Sequence, residues 1–596
     1  MQHLGIEINT GRDKLLSEQS FKLLKDYYCR EDERSPQMAF SRAAVAFSNG
    51  NINLAQRVYD YVSKGWFMYS SPVLSNAPLK GEPVKALPIS CFLSYVPDTL
   101  DGLIDHSNEL RWLSVKGGGV GGHWSDIRAV SKKAPGPMPF LHTVDADMVA
   151  YRQGRTRKGS YAAYMDVDHP DIVEFINMRI PTGDVNRKNL NLHHAVNITD
   201  DFMKAVEQGS DWDLVDPASQ EVRETTKARK IWEHLLETRY RTGEPYLNFI
   251  DTANRALPEA QKAKGMKIRG SNLCNEIHLV TDENRTAVCC LSSVNLEKYD
   301  EWKDTQMVKD LVVFLDNVLQ FFIDHAGDEI SRAKYSAQQE RSLGLGAMGM
   351  HSYFQKHRIP FDSEEAVTKN EEIFSYIKAK AVEATLEMGK RRGEAPDMEG
   401  TGRRNAHMLA IAPNANSSMI VSTSPSIEPW KANAFTSRTR VGSHLNKNPY
   451  LEEELEKIGK NTDEVWSMII TNGGSVQHLD FLDDHIKEVF KTAIELDQLA
   501  LIRLAGDRQK YLCQGQSLNI FFPAGADKKT LHQAHYQAWK QGCKGLYYLR
   551  TETSNRAENV ASKVEREKLD DIINPNTVNF SNGNEPQQDE CVACEG

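Results

Sequence analysis

The sequence predicts an α/β protein with a helical opening section, a large mixed body and a flexible polar tail. Three observations carry that prediction. Apolar residues recur at three- and four-residue spacing from about Lys14 to Lys64. From Trp66 onward, short apolar runs broken by Pro and Gly alternate with helical stretches, and the last residues, NPNTVNFSNGNEPQQDECVACEG, hold almost no apolar anchor. A chain of 596 residues suits several domains or one large α/β barrel with attachments.

The opening helices are SEQSFKLLKDYY and MAFSRAAVAFS. Two short runs follow, SSPVLSNAP and ALPISCFLS, the second holding Cys91. Asp98 to Lys116, DTLDGLIDHSNELRWLSVK, reads as a helix capped by Asp98 and ended by the glycines of Gly117 to Gly122. Those glycines satisfy GxGxxG, as do Gly344, Gly346 and Gly349 in LGLGAMG. Neither match follows a strand, so both are read as places where the backbone turns tightly or approaches a ligand, not as dinucleotide fingerprints. Tyr151 to Ser160, YRQGRTRKGS, is a basic loop, either plainly solvated or suited to sensing a nucleotide.

Further along, Leu311 to Ile323 and a charged stretch from about Glu364, closed by Gly393, read as helices. APNANSSMI places Asn414, Asn416, Ser417 and Ser418 ahead of a helix or turn, which fits an anion site or an ordinary N-cap. GLYYLRT sets Tyr547 beside Tyr548 in a strand, where alternation sends one of them to the core.

Bulk properties narrow the function. The composition, 40% hydrophobic and 26% charged, is that of a folded globular protein. A formal charge of −10 argues against general affinity for nucleic acid or anionic membrane, while leaving local basic patches free to bind nucleotide phosphates. The N-terminus carries no basic segment followed by an apolar run, and Asp316, Asn317 and Gln320 interrupt the most apolar stretch. A cytoplasmic protein with no membrane partner is expected. Nine cysteines scattered over this length do not form a disulfide framework and are read as free, catalytic or redox-cycling. Cys591 and Cys594 lack neighbouring ligands for zinc, so no metal site is expected, and the pair is read as a mobile dithiol arm.

The densest chemistry lies in Ser271 to Leu296, SNLCNEIHLVTDENRTAVCCLSSVNL. If SNLCNEI is extended, Asn272, Cys274 and Glu276 share one face. Cys289 follows fifteen residues after Cys274, beside Cys290, and can bring back a second thiol. A buried structural cysteine is the competing reading. Against it stands the carboxylate of Glu276, because burying a charge beside a thiol needs compensation.

Together these motifs resemble the large, catalytic subunit of class I ribonucleotide reductases, from the opening helices to the last six residues. The resemblance implies a ten-stranded α/β barrel of the ribonucleotide reductase/glycyl-radical type. It divides the chain into a helical region 1–88, a barrel 89–525, a small α/β region 526–580 with radical-relay tyrosines, and a flexible redox tail 581–596. NLCNEI resembles the family's finger loop, which implies that Cys274 becomes a thiyl radical, Glu276 is the base and Asn272 binds the ribose hydroxyls. ISCFLS and AVCCLSSVNL resemble the segments of the reducing pair, which implies that role for Cys91 and Cys289, with Cys290 a bystander. Substrate binding is implied for Ser71, Ser90, Gly119 and, at the diphosphate, for Asn414, Ala415, Asn416, Ser417 and Ser418. Asp98, Arg128, Gln153 and Arg157 match positions of the specificity effector, a deoxynucleotide or ATP with Mg2+. Tyr547 and Tyr548 resemble the relay pair, and Cys591 with Cys594 the shuttle dithiol.

The same resemblance implies ribonucleoside diphosphate substrates and no tightly bound cofactor in this chain. A separate small subunit would supply the radical from its metal cofactor, thioredoxin or glutaredoxin the electrons, and an effector-promoted homodimer would form through helices near Asp98 to Lys116. No room precedes Leu15 for the family's N-terminal ATP-cone, so switching by ATP and dATP there is not expected. Two other readings compete: an adenosylcobalamin-dependent reductase, which would need no tyrosine relay, and a non-catalytic nucleotide-binding regulator, which would leave the spaced cysteines unexplained.

Overall fold

A computed structural model describes residues 1–151, 159–439 and 442–552. The opening helices owe their start points to capping side chains as well as to apolar spacing. Ser17 accepts from the Ser20 backbone N–H ahead of α1 (Glu18–Tyr27), Ser35 and Pro36 open α2 (Pro36–Ala46), and Asn51 caps α3 (Ile52–Ser63). Buried Arg42 pairs with Glu33 and donates to the carbonyls of Tyr28, Leu74 and Ala77, tying α2 to what precedes and follows it. Strand β1 (Phe67–Tyr69) then leads from the helices into the sheet.

Five strands follow in parallel register: β2 (Cys91–Tyr95), β3 (Gly119–His123), β4 (Ser160–Asp166), β5 (His193–Ile198) and β6 (Tyr246–Phe249). Strand β7 (Ala287–Asn295) runs antiparallel to β2 and parallel to β8 (Leu343–Met348). Beyond β8 the ladder continues through single bridges, Leu345 to Leu409 and Ile411 to Gln516. Strand β9 (Ile520–Phe522) pairs in parallel with β11 (Leu549–Thr551), and β10 (Gly545–Leu546) returns antiparallel to β6. Eight strands lie on the continuous sheet path, and the bridged segments 408–411 and 515–522 complete a ring of ten. The ring is two parallel fives set antiparallel to each other. Because β10 and β11 belong to it, the expected division at 525/526 cuts across hydrogen-bonded strands.

Side-chain alternation sorts the apolar residues into two populations. An outer core packs the ring against its helices, and a separate inner cluster gathers Cys91, Cys274, Cys289, Tyr164, Tyr246, Tyr547 and Tyr548. Outside the ring, α6 (Met307–His325) packs on α8 (Glu364–Arg392), which ends at Gly393 as the sequence predicts. The polar interruption in α6 is internal: Asp316 is buried and takes Arg341, Arg392 and Asn405. Among the described residues no helix is long and apolar enough to cross a membrane.

Two expectations change. The helix α4 (Leu100–Val115) is capped by Thr99, whose side chain accepts from Gly102 N–H, not by Asp98. The two glycine runs lie largely within strands, β3 and β8: Gly117 and Gly349, at φ +85° and +82°, do turn the backbone, while the glycines inside the strands are needed for closeness. A Cβ on Gly121 would sit 1.8 Å from the Ser271 carbonyl oxygen, and one on Gly344 would sit 2.8 Å from Cys289 Sγ.

Candidate active site

Ser271 to Glu276 crosses the inside of the ring, but as a turn and not as an extended segment. Asn272 Oδ1 accepts the backbone N–H groups of Glu276 and Ile277, each at 3.1 Å, and Asn275 has φ +61°. An asparagine tolerates that left-handed conformation better than most residues. The strict alternation read from SNLCNEI therefore fails, although Asn272, Cys274 and Glu276 are all fully buried together.

Both halves of the ring hold this loop. From one half, Tyr164 donates to the Asn272 carbonyl at 2.6 Å, and Asn275 donates to the Leu247 carbonyl at 3.1 Å. From the other, Ser517 donates to the Cys274 carbonyl at 2.6 Å and to Glu276 Oε2 at 3.2 Å, while Gly515 N–H reaches the Glu276 carbonyl at 2.7 Å. A loop anchored on both sides presents its thiol and carboxylate with little freedom to drift.

Cys91 and Cys289 are directly opposite each other where β2 meets β7. Opposed residues of an antiparallel pair have Cα atoms about 4.5–5.5 Å apart, within the roughly 4.4–6.8 Å that a disulfide spans. Both are thiols here. Burial, with Cys91 adding to it, pushes the Cys289 thiol well above its ordinary pKa, so it holds its proton at neutral pH. Gln514 Nε2 lies 3.6 Å from Cys289 Sγ. Cys290 points the other way, into the outer core, where burial also raises it. The register of β7 thus separates two adjacent cysteines into different environments.

The expected substrate positions fall around the same space. Gly119 is the cross-strand neighbour of Cys91, and its N–H donates to the Ser90 carbonyl at 2.7 Å. Asn414, with φ +59°, precedes the short helix α9 (Ala415–Ile420). Its side chain is occupied by structure, accepting from Ser293 at 2.7 Å and donating to the carbonyls of Ala347 and Ala412, so the loop offers backbone N–H groups rather than the Asn414 amide. Ser418 donates to the Ala415 carbonyl, and Ser417 reaches the Tyr69 carbonyl at 3.4 Å, two residues from Ser71. Ser71 itself meets the Tyr28 hydroxyl at 2.9 Å. Asn416 belongs to the same helix.

The tyrosines depart from the alternation expected of a strand. Tyr547 and Tyr548 lie between β10 and β11, both are buried, and their rings are 4.2 Å apart. Tyr246 packs on both, at 4.7 and 5.1 Å. A cavity of about 810 Å³ runs from Ala415 and Ser418 past Asn519 to Tyr547, Tyr548 and Arg550, joining the start of the short helix to the tyrosine pair. At a distance, Asp98 and Arg128 form an ion pair at 2.8 Å. Gln153, Arg157, Cys591 and Cys594 lie outside the described residues. Among those described, no cluster of three or more His, Cys, Asp or Glu side chains is placed to hold a metal ion.

Several groups that build the site carry no motif of their own: Tyr164, Tyr246, Gln514 and Ser517. The one available signal was polar residues inside otherwise apolar strands, as in QGQSLNIFF and SYAAYM.

The arrangement offers a confined thiol beside a carboxylate, a second pair of thiols placed for disulfide formation, and an aromatic pair at the cavity. Comparisons with known proteins agree with it. The family model for the ribonucleotide reductase barrel domain matches residues 89–401 and 397–549, and that for the ribonucleotide reductase all-alpha domain matches 14–82. The chain is 62% identical, over 86% of its length and 90% of the relative's, to a protein of Frog virus 3 (isolate Goorha) named as a candidate ribonucleoside-diphosphate reductase large subunit. It is 44% identical to the ribonucleoside-diphosphate reductase large subunit of Invertebrate iridescent virus 3, over 92% of this chain and 95% of that one. Among solved structures, the class Id ribonucleotide reductase alpha subunit of Actinobacillus ureae superposes with a TM-score of 0.80 at 36% identity, covering 90% of this chain and 97% of that one.

Proposed function

The chain belongs to the large-subunit family of ribonucleotide reductases, and we propose that Cys274 is its radical carrier, Glu276 its general base, and Cys91 with Cys289 its electron donors. It is a ribonucleoside-diphosphate reductase of class I, in which the radical comes from a separate subunit. The observation that carries the division of labour is the inner cluster, where three thiols pack with the tilted pair of Tyr547 and Tyr548, and Glu276 is buried as well.

In this reading a thiyl radical on Cys274 abstracts the ribose 3′-hydrogen, and Glu276 takes the proton of the 3′-hydroxyl. Water is a poor leaving group from an unactivated carbon, and the neighbouring C3′ radical makes its departure feasible. Cys91 protonates the departing 2′-hydroxyl. Cys91 and Cys289 then give up two electrons and form a disulfide across β2 and β7, after which Cys274 returns its hydrogen to C3′. The raised pKa of Cys289 suits a thiol that must keep its proton until it is used. Asn272 would orient the ribose hydroxyls, with Ser71, Ser90 and Gly119 lining its approach and Ala415 to Ser418 receiving the diphosphate on backbone N–H groups and hydroxyls.

Other roles extend the same proposal. Tyr547 and Tyr548 relay the radical from the small subunit to Cys274; their 4.2 Å ring separation supports that role and favours class I over a cobalamin-dependent enzyme. Cys591 and Cys594 re-reduce the buried disulfide and pass electrons from thioredoxin or glutaredoxin. Asp98, Arg128, Gln153 and Arg157 bind a deoxynucleotide or ATP effector with Mg2+. Exposed Leu100, Ile104, Trp112 and Val115 on α4 support an effector-promoted homodimer through that helix. A cytoplasmic location completes the proposal.

The test is ribonucleoside diphosphate reduction by the purified chain with candidate small subunits and each deoxynucleotide effector. Deoxynucleotide formation that needs the small subunit and is lost in Tyr547→Phe and Tyr548→Phe, with nucleotide binding retained, supports the reading. Full activity of both variants with adenosylcobalamin required would overturn the class I relay.

A further inference from the structure

Cys513, two residues ahead of the bridged segment 515–522, sits among basic side chains drawn from three other parts of the chain. Lys378, on α8, places Nζ 3.0 Å from the Cys513 Sγ, and the Met408 backbone N–H donates to the same sulfur. Arg403 donates to the Ala406 carbonyl at 2.9 Å and lies 3.1 Å from Met408 Sδ. Lys544, just ahead of β10, donates to the carbonyls of Cys513 and Gln514 at 2.6 and 2.8 Å. Among the described residues, the hydrogen bonds of Lys378, Arg403 and Lys544 go to the thiol, a thioether and carbonyls, and to no carboxylate. Arg403 Nε and both ring nitrogens of His407, which is 1% exposed, have no hydrogen-bond partner. Burial, then Lys544 and Arg403, hold His407 well below its ordinary pKa, which places it in the same cluster. Such a cluster favours an anion, and the sulfur of Cys513 is placed to be one.

Burial alone would raise the Cys513 thiol, but Lys378, the Met408 N–H and Arg403 outweigh it and bring it down to about 7. Cys29 is the contrast: it is partly exposed like Cys513, yet burial and then Glu33 push it up to about 11. The thiolate, not the thiol, is the nucleophile. The segment that begins at Cys513 also holds the inner loop. Gln514 Oε1 accepts the His278 N–H at 3.1 Å and its Nε2 lies 3.6 Å from Cys289 Sγ, while Gly515 and Ser517 reach Glu276 and Cys274. Lys544 ties that segment to the strand leading to Tyr547. Burial lowers Lys544 to about 7 even though Cys513 acts to raise it, so loss of the anion discharges the amine and weakens its two carbonyl bonds.

We propose that Cys513 is an oxidative modification site: hydrogen peroxide converts its Lys378-paired sulfur to a sulfenic acid, and the lost negative charge loosens the grip of Lys544 on residues 513–517. The thiolate attacks one peroxide oxygen. An S–O bond forms, the O–O bond breaks, and the departing hydroxide takes a proton from the Lys378 ammonium and leaves as water. Sulfur loses two electrons and the peroxide gains them. A thiol reverses the change: it displaces the sulfenic oxygen as water to give a mixed disulfide, and a second thiol releases Cys513. The reactivity stands apart from the reductase reading, and its effect on turnover rests on that reading.

The experiment treats the full chain with hydrogen peroxide and a 1,3-diketone that traps sulfenic acids, then quantifies the labelled peptides by mass spectrometry. At pH 7 Cys513 is expected to label roughly 100-fold faster than Cys29: the thiolate fractions differ by about 5000-fold, and the weaker nucleophilicity of the less basic sulfur takes back about 60-fold. Lys378→Met, which keeps the length of the side chain and removes its charge, should raise the pH midpoint of Cys513 labelling by about 1–3 units. Lys378→Gln serves should Lys378→Met fail to fold, with the same shift expected. Equal labelling of Cys513 and Cys29, or an unmoved midpoint in a folded Lys378 variant, would overturn the site. The reductase assay then tests the consequence. Cys513→Asp keeps an anion that peroxide cannot oxidise and should retain kcat, whereas Cys513→Ser, uncharged like the sulfenic acid, should lose roughly tenfold, below the roughly 100-fold cost of a 1 Å misplacement. Equal kcat in folded Cys513→Ser and Cys513→Asp would overturn the coupling to turnover. An unsubstituted protein that forms no deoxynucleotide sinks the reductase reading instead, and the labelling decides the site in either case.

Discussion

Gly121 is where the packing of the Ser271–Glu276 loop can be tested with one methyl group. In β3 its Cα faces the loop so closely that an alanine Cβ would lie 1.8 Å from the Ser271 carbonyl oxygen, 2.8 Å from its carbonyl carbon and 2.9 Å from Asn272 Cα. All three are backbone atoms, so no side-chain rotation relieves the clash. Restoring ordinary contact requires the loop or β3 to retreat by more than about 1 Å, and overpacking of this kind costs about 1–3 kcal/mol. The loop is pinned on the far side by Ser517 and Gly515, so the displacement is transmitted to Cys274 and Glu276. A misplacement near 1 Å is enough to cost roughly 100-fold in rate. Gly121→Ala is therefore expected to lose about that much kcat in the reductase assay, with a lowered melting temperature. Gly459→Ala is the control: it also adds a methyl group, at φ +67° but with nothing within 4 Å, and should leave kcat unchanged. A Gly121→Ala protein with kcat within twofold of wild type would refute the packing argument.

The remaining expectations concern β7 and a buried acid. Cys290→Ala should keep full turnover while losing about 1 kcal/mol of stability by denaturant unfolding, as expected for a small outer-core cavity; Cys289→Ala should bind substrate and fail to sustain turnover, and equal effects of the two would contradict the register of β7. Glu340 is raised from 4.5 to about 8 by burial and then by Asp397. The folded state therefore holds a proton that the unfolded chain gives up, so this contribution to stability is complete below about pH 4.5 and is lost as pH rises toward 8. Glu340→Gln, which keeps the uncharged form, should flatten the fall of melting temperature between pH 5 and pH 8; an unchanged slope would show that Glu340 does not titrate in this window.

How much of this was legible in the sequence depended on whether the chemistry was contiguous. NLCNEI placed Cys274 and Glu276 within three residues, and α6 and α8 were visible from their spacing and the closing Gly393. The choice between Cys289 and Cys290 could not be made from spacing, because adjacent residues on a strand face opposite sides and only the pairing of Cys289 with Cys91 decides which side is inner. The extended form assumed for SNLCNEI failed because the Asn272 amide closes a turn on the N–H groups of Glu276 and Ile277. Likewise the period of two broke at Tyr547 and Tyr548, where the chain leaves one strand before entering the next. The cap expected at Asp98 falls one residue later, because the side-chain oxygen that reaches Gly102 N–H belongs to Thr99.

The radical role proposed for Cys274 is tested most directly by product formation by Cys274→Ser under the conditions in which the unsubstituted protein, with its small subunit and effector, reduces a ribonucleoside diphosphate. This variant is expected to bind the nucleotide with unchanged affinity and to form no deoxynucleotide, even in a single turnover. Deoxynucleotide formed at a measurable rate by folded, substrate-bound Cys274→Ser would contradict the assignment of Cys274 as the radical carrier.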